Sequence, residues 1–206
     1  MLGNCHRMAR RLGGTTHSMD AILTSTLVVA LAEIGDKTML LAIVLATRFR
    51  KPLPIIAGIF VATIANHVLA ALVGSTIAGL LEGAWFRYAV GISFVAMAAW
   101  TLVPDKLDDD EEPNARFGPF LTTTVAFFIV EIGDKTQIAT IALGAQYESV
   151  VLVALGTTLG MMIANVPAVY AGNAIVERVS LKLVRLLAAL LFLAIGLWII
   201  AETALG

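Results

Sequence analysis

The sequence predicts an all-α integral membrane protein of six transmembrane helices, arranged as two inverted three-helix repeats. Three observations carry this reading. Hydrophobic residues make up 59% of the chain and charged residues only 14%, where soluble domains run at roughly 45–50% apolar and about 25% charged. Charge-free stretches recur along the chain, and a membrane span needs about 20 mainly apolar residues. One charged hexapeptide, Glu-Ile-Gly-Asp-Lys-Thr, occurs twice, at 33–38 and 131–136. With a mean hydropathy of +0.89, 206 residues hold too few polar groups to cover a soluble domain. A water-soluble enzyme and a disordered chain are thereby excluded. A net charge of −1 excludes nucleic acid, which calls for a basic excess. The single cysteine, Cys5, excludes an internal disulfide and a Cys-based metal site.

Residues 1–19 read as an N-terminal tail, with Met8 and Met19 as alternative starts. The first repeat, 20–103, opens with a span at about 21–47 that is apolar but interrupted by the first motif. Residues 7–32 also have the outline of a signal peptide, a basic start and an apolar run ending in Ala30-Leu31-Ala32. Cleavage there would leave Glu33 at the new terminus, and the internal copy of the motif argues instead for a working helix. The second span, 53–81, lies in a stretch with no Asp, Glu, Lys or Arg; the third, 85–103, has Arg87 near its start, able to snorkel to the interface. Residues 104–117 form a linker carrying Asp105, Asp108, Asp109, Asp110, Glu111 and Glu112. The second repeat, 118–206, holds spans at about 118–145, interrupted by the second motif, 149–176, uncharged, and 182–203, in which Arg185 takes the place of Arg87. Pro167 is expected to kink the fifth span near its centre.

The duplication rests on more than the hexapeptide. The same spacing pairs Arg87 with Arg185, Phe94 with Phe192, Ala96 with Ala194 and Trp100 with Trp198. An Ile-Ala-Asn triplet recurs at 64–66 and 163–165, one residue out of step, which a loop can absorb. Each half has three spans, an odd number, so the halves enter the membrane from opposite sides. Secondary transporters commonly have this inverted repeat, with the binding site at the midplane where the halves meet. Loop arginines and lysines set the orientation. Arg48, Arg50, Lys51, Lys106, Arg116, Arg178, Lys182 and Arg185 lie on one side, and Arg7, Arg10, Arg11 and Arg87 on the other. The richer side, with the acidic linker, is expected in the cytoplasm and both termini outside.

Six charges fall deep within the spans: Glu33, Asp36, Lys37, Glu131, Asp134 and Lys135. A carboxylate in mid-membrane costs at least ~2.5 kcal/mol on insertion scales, so packing alone does not explain four of them. On a continuous helix Glu33 and Asp36 share a face, as do Glu131 and Asp134. Pseudo-symmetry brings the two faces together. If all are ionised, four carboxylates and two lysines leave a double negative charge, which a divalent cation neutralises. Oxygen-rich, cysteine-free surroundings suit Mg²⁺, Ca²⁺ or Mn²⁺. Thr38, Thr136, Asn66, Asn165 and Gln137 are candidate neutral ligands, and Lys37 and Lys135 are expected to gate the site or balance its charge. Gly35 and Gly133 let helices approach closely or let the backbone open. His67 has Val166 opposite it in the repeat and reads as a local hydrogen-bonding residue; Met39, Met161 and Met162 read as apolar filler. Burial favours the protonated acids, while bound metal and lysines favour the ionised ones. Metal and protons then compete for one site, the minimum for cation/proton exchange.

Two copies of Glu-x-Gly-Asp-Lys-Thr, each opening a three-helix hydrophobic repeat with an acidic loop between, resemble the second calcium:cation antiporter family. It includes the Golgi manganese/calcium transporters of yeast and humans and the bacterial MneA-type manganese exporters. The resemblance covers about residues 20–204. It implies that Glu33, Asp36, Glu131 and Asp134 form the cation site, and that the chain carries Mn²⁺ or Ca²⁺, against protons. The short chain looks bacterial, which favours Mn²⁺ export across the cell inner membrane, with Ca²⁺/H⁺ exchange as the alternative. The expected partners are the divalent cation, protons and the lipid bilayer; no cofactor is expected, the metal being cargo. A membrane enzyme finds little support, because the chain lacks a zincin-type His cluster, a nucleophile elbow and a Gly-rich phosphate loop. A passive channel with acidic rings fits a compact six-helix unit less well than alternating access.

Overall fold

The computed structural model describes residues 2–81, 83–104, 117–172 and 180–205, with side chains from Ser18 onward. Most of the acidic linker, 105–116, lies outside the described residues, and so does Arg178. Eight α-helices and no strand occur among the described residues: α1 (Leu2–Glu33), α2 (Lys37–Phe49), α3 (Pro52–Leu80), α4 (Ala84–Thr101), α5 (Gly118–Glu131), α6 (Lys135–Tyr147), α7 (Val150–Ala171) and α8 (Leu181–Leu205). Three of them, α3, α7 and α8, are long and apolar enough to cross a membrane.

The expected continuous motif spans, 21–47 and 118–145, are each two helices. The cause is the motif glycine. Gly35 has φ 85° and Gly133 φ 77°, in the left-handed region that a right-handed helix cannot pass through. Hydrogen bonding is alike at both breaks: Asp36 N donates to Glu33 O at 3.0 Å, and Asp134 N to Glu131 O at 3.1 Å. Each motif helix pair also ends alike, on a left-handed Arg50 or Glu148, at matching positions of the two halves. Pro167 lies inside α7, which stays helical through it.

A Cβ at Gly133 would meet no atom within 4 Å. Gly133→Ala is therefore expected to cost only backbone strain, about 1–2 kcal/mol, measured by unfolding the purified protein in detergent. Gly35→Ala should cost more, since its Cβ would stand 2.7 Å from Leu181 Cδ2. Wild-type stability in Gly133→Ala would mean that the left-handed break is not needed.

Most packing pairs exchange under a swap of the two halves, the contacts of α4 with α6 and of α1 with α8 being exceptions. α1 packs on α7 as α5 packs on α3; α2 meets α7 as α6 meets α3; α3 meets α7, and α4 meets α8. Close approach is set by small residues: a Cβ at Gly58 would lie 2.7 Å from Phe120 O, and one at Gly156 the same distance from Ile22 O. Phe94 of α4 and Phe192 of α8, paired by the repeat, touch with ring centroids 6.1 Å apart. Two apolar clusters flank the breaks. One gathers Val28, Ala32, Phe94, Leu143, Val153 and Phe192; the other Leu41, Leu45, Ile55, Ile59, Phe127 and Val130. The first motif segment passes from the former cluster to the latter, and the second passes the other way. Outward, Phe60, Leu69, Leu72, Leu155, Leu159 and Leu190 are exposed, an apolar surface suited to lipid rather than water.

Candidate metal centre

Glu33 is the last residue of α1 and Asp36 the N-cap of α2, with φ −83° and ψ 171°. Glu131 and Asp134 hold the same places at the ends of α5 and α6. The acids of each motif thus flank a helix break, and the expectation of one shared helix face is corrected. A broken helix places a partly positive N-terminus and a partly negative C-terminus side by side, an arrangement that transporters use around ions. Neither Asp36 nor Asp134 caps its helix through its side chain, so both carboxylates are left for other partners.

All four acids are buried, none more than 4% exposed. One oxygen each from Glu33, Asp36 and Asp134 lies within 4.8 Å of the others. Two oxygens on one ion at 2.0–2.6 Å sit at most ~4–5 Å apart, so this trio is compact enough to share a divalent cation. Glu131 is within electrostatic reach of Glu33 and Asp134, yet its oxygens are held by α3. Thr63 Oγ1 donates to Oε1 at 2.9 Å and Asn66 Nδ2 to Oε2 at 2.8 Å.

The lysines cross between the halves. Lys135 Nζ lies 3.3 Å from Asp36 Oδ1, with both side chains buried. Lys37 Nζ lies 3.7 Å from Asp134 Oδ1 and is a fifth exposed, at 20%. Each ammonium comes from the motif opposite its aspartate. A cation entering the trio meets two carboxylates already paired with a positive charge.

The neutral candidates divide. The Thr38 hydroxyl donates to Glu33 Oε2, and the Thr136 hydroxyl to Asp134 Oδ2 at 3.2 Å. Asn165 stands beside Glu33, but its Nδ2 donates to Met161 O at 3.1 Å and to Met161 Sδ at 2.9 Å. Gln137 Oε1 accepts from Gly133 N at 2.7 Å and so braces the second break. His67, expected to bond locally, is buried with no hydrogen-bond partner for either ring nitrogen among the described residues. Sequence reasoning missed Thr63 and treated Met161 as filler. Thr63 was findable: it lies three before Asn66, one helical turn away on the same face.

The comparisons with known proteins meet this geometry from another side. The family model described as divalent cation/proton antiporter GDT1 matches residues 21–109 and 119–206. The chain belongs to this family. Both matched segments contain one motif each, and the stretch between them, 110–118, covers the later part of the acidic linker. Among curated proteins, the chain is 51% identical to the "Putative manganese exporter" of Vibrio cholerae, over 89% of this chain and 92% of that protein. It is 29% identical to GDT1-like protein 5 of Arabidopsis thaliana, over 81% of this chain and 89% of the relative. A GDT1-like protein of Synechocystis is also 29% identical, over 84% of this chain and 93% of its own length. No solved structure matches the chain. The chain is thus a membrane protein of a cation/proton antiporter family, with divalent cations and protons as the family's substrates.

Proposed function

We propose that this chain exports Mn²⁺ from the cytoplasm in exchange for H⁺, through a buried site built from both hexapeptide motifs. The observation that carries this reading is the convergence of Glu33, Asp36 and Asp134, residues from two distant segments, to within 4.8 Å of one another. The opposite senses in which the two motif segments cross between the apolar clusters support two inverted repeats of three spans each. Each motif helix pair then counts as one interrupted span. In this arrangement the acidic linker faces the cytoplasm of a bacterial cell and both termini lie outside the inner membrane, the orientation favoured by the loop arginines and lysines.

The exchange follows from charge. The site binds metal only when its acids are ionised, so protons and metal compete. On the cytoplasmic side the ion displaces protons and competes with the lysines for Asp36 and Asp134. On the outside, protons return to the acids and release it. Thr38 and Thr136 orient Glu33 and Asp134 by hydrogen bonds. Lys37 and Lys135 balance the acids when the ion is absent. The name of the Vibrio cholerae relative favours Mn²⁺. An all-oxygen donor set suits Ca²⁺ as well, and Ca²⁺/H⁺ exchange is the alternative.

The test is flux in proteoliposomes holding a pH-sensitive dye. Mn²⁺ added on one side should drive proton movement in the opposite direction, and Mg²⁺ should do so far less. Metal flux with a flat dye signal removes the exchange; Ca²⁺ flux exceeding Mn²⁺ flux moves the assignment to the alternative.

A further inference from the structure

The two halves of the site differ just before the repeated triplet, where Ala62 corresponds to Met161 and Thr63 to Met162. The triplet Ile-Ala-Asn is preceded in α3 by Ala62 and Thr63, and in α7 by Met161 and Met162. The structure converts this difference into opposite roles for the two asparagines. In α3, Thr63 and Asn66 donate one hydrogen bond to each oxygen of Glu131. In α7, methionine replaces the threonine, so the matching hydroxyl is lost. Met161 meanwhile offers a sulfur and a carbonyl that take up the Asn165 amide nitrogen. Glu33 Oε1 and Asn165 Oδ1 are among the buried oxygens left without a hydrogen-bond partner in the described residues, both in side chains that are 0% exposed. They belong to side chains within hydrogen-bonding reach of each other, and Thr136 lies within the same reach of Glu33. A buried acceptor with no donor is destabilising, and two together mark a place for something positive.

We propose that the halves are not equivalent: Asn165 supplies a neutral oxygen ligand to the transported ion beside Glu33, Asp36 and Asp134, with Met161 as its positioning residue, while Thr63 and Asn66 hold Glu131 in place. This deepens the metal-transport reading above and rests on it. A neutral oxygen added to three carboxylates gives a donor set typical of Mn²⁺ or Ca²⁺. The thioether fixes which end of the amide faces the ion, because sulfur accepts the NH₂ group weakly and leaves the oxygen free.

Substitution by aspartate separates the two roles, since it keeps an oxygen and removes the donor. Asn165→Asp is expected to tighten Mn²⁺ binding threefold or more, measured by calorimetry on the detergent-purified protein. Asn66→Asp sets a carboxylate against Glu131 and is expected to weaken it tenfold or more. Met161→Leu, similar in volume but without sulfur, should weaken binding several-fold at an unchanged elution volume in size exclusion. Where Asn165→Asp fails to give a monodisperse protein, Asn165→Ala is read instead and should weaken binding at least fivefold more than Asn66→Ala. Equal losses in the Asn165 and Asn66 variants, with the wild type binding Mn²⁺, overturn the asymmetry alone. A wild type that binds neither Mn²⁺ nor Ca²⁺ overturns the transport reading and this inference with it.

Discussion

Glu33→Gln is expected to abolish metal-driven flux in proteoliposomes, a loss of at least ~100-fold, which is the upper end for losing even an outer-shell partner of a metal site. The expectation comes from position. Glu33 is 0% exposed, ends α1 at the break, and shares the compact trio with Asp36 and Asp134. Glutamine keeps the shape and an oxygen acceptor for the Thr38 hydroxyl, so the protein should fold and reach the membrane. What is lost is the negative charge, and with it both the attraction for a divalent ion and one group for which protons compete. Asp36→Asn should behave alike. Glu131→Gln gives a useful contrast, because Thr63 and Asn66 already donate to both oxygens of that acid. Glutamine places its NH₂ against one of those donors, so this variant should also lower stability, which Glu33→Gln should not. Metal flux at the wild-type rate in Glu33→Gln would remove the carboxylate trio as the binding site.

Lys135→Met is expected to produce the largest change in metal-free stability. The Lys135–Asp36 pair is buried, with nitrogen and oxygen 3.3 Å apart. Removing one partner of such a pair typically costs about 3–5 kcal/mol, mostly because the remaining charge stays buried without compensation. The metal-free variant should therefore melt well below the wild type. Saturating Mn²⁺ should restore more stability to the variant than to the wild type, since the ion then supplies the missing positive charge. Lys37→Met should show a smaller version, as that pair is longer at 3.7 Å and its lysine is partly exposed. Thermal unfolding in detergent, with and without Mn²⁺, reads both. An equal metal-induced shift in Lys135→Met and wild type would show that lysine and metal do not compete for Asp36.

The sequence by itself determined the class of molecule and the residues at issue. Hydropathy alone demands a membrane, because apolar side chains without polar cover have no other stable solvent. The doubled hexapeptide, the paired Phe94 and Phe192, and the family all followed from comparing one half of the chain with the other. Only the tertiary structure decided how the motif works. A helical repeat pattern does not say where a backbone stops. Gly35 and Gly133 are compatible with a helix or with a break, and the folded chain takes positive φ at both. That choice moved Glu33 and Asp36 from one helix face to two facing helix ends. It also let each lysine reach the aspartate of the opposite motif, a pairing that no spacing along the chain encodes. The different fates of Asn66 and Asn165 depend on Thr63 and Met161, whose neighbours become defined only when α3 packs on α5 and α7 packs on α1. Charge buried in an apolar medium must find partners in space, and space is what the fold supplies.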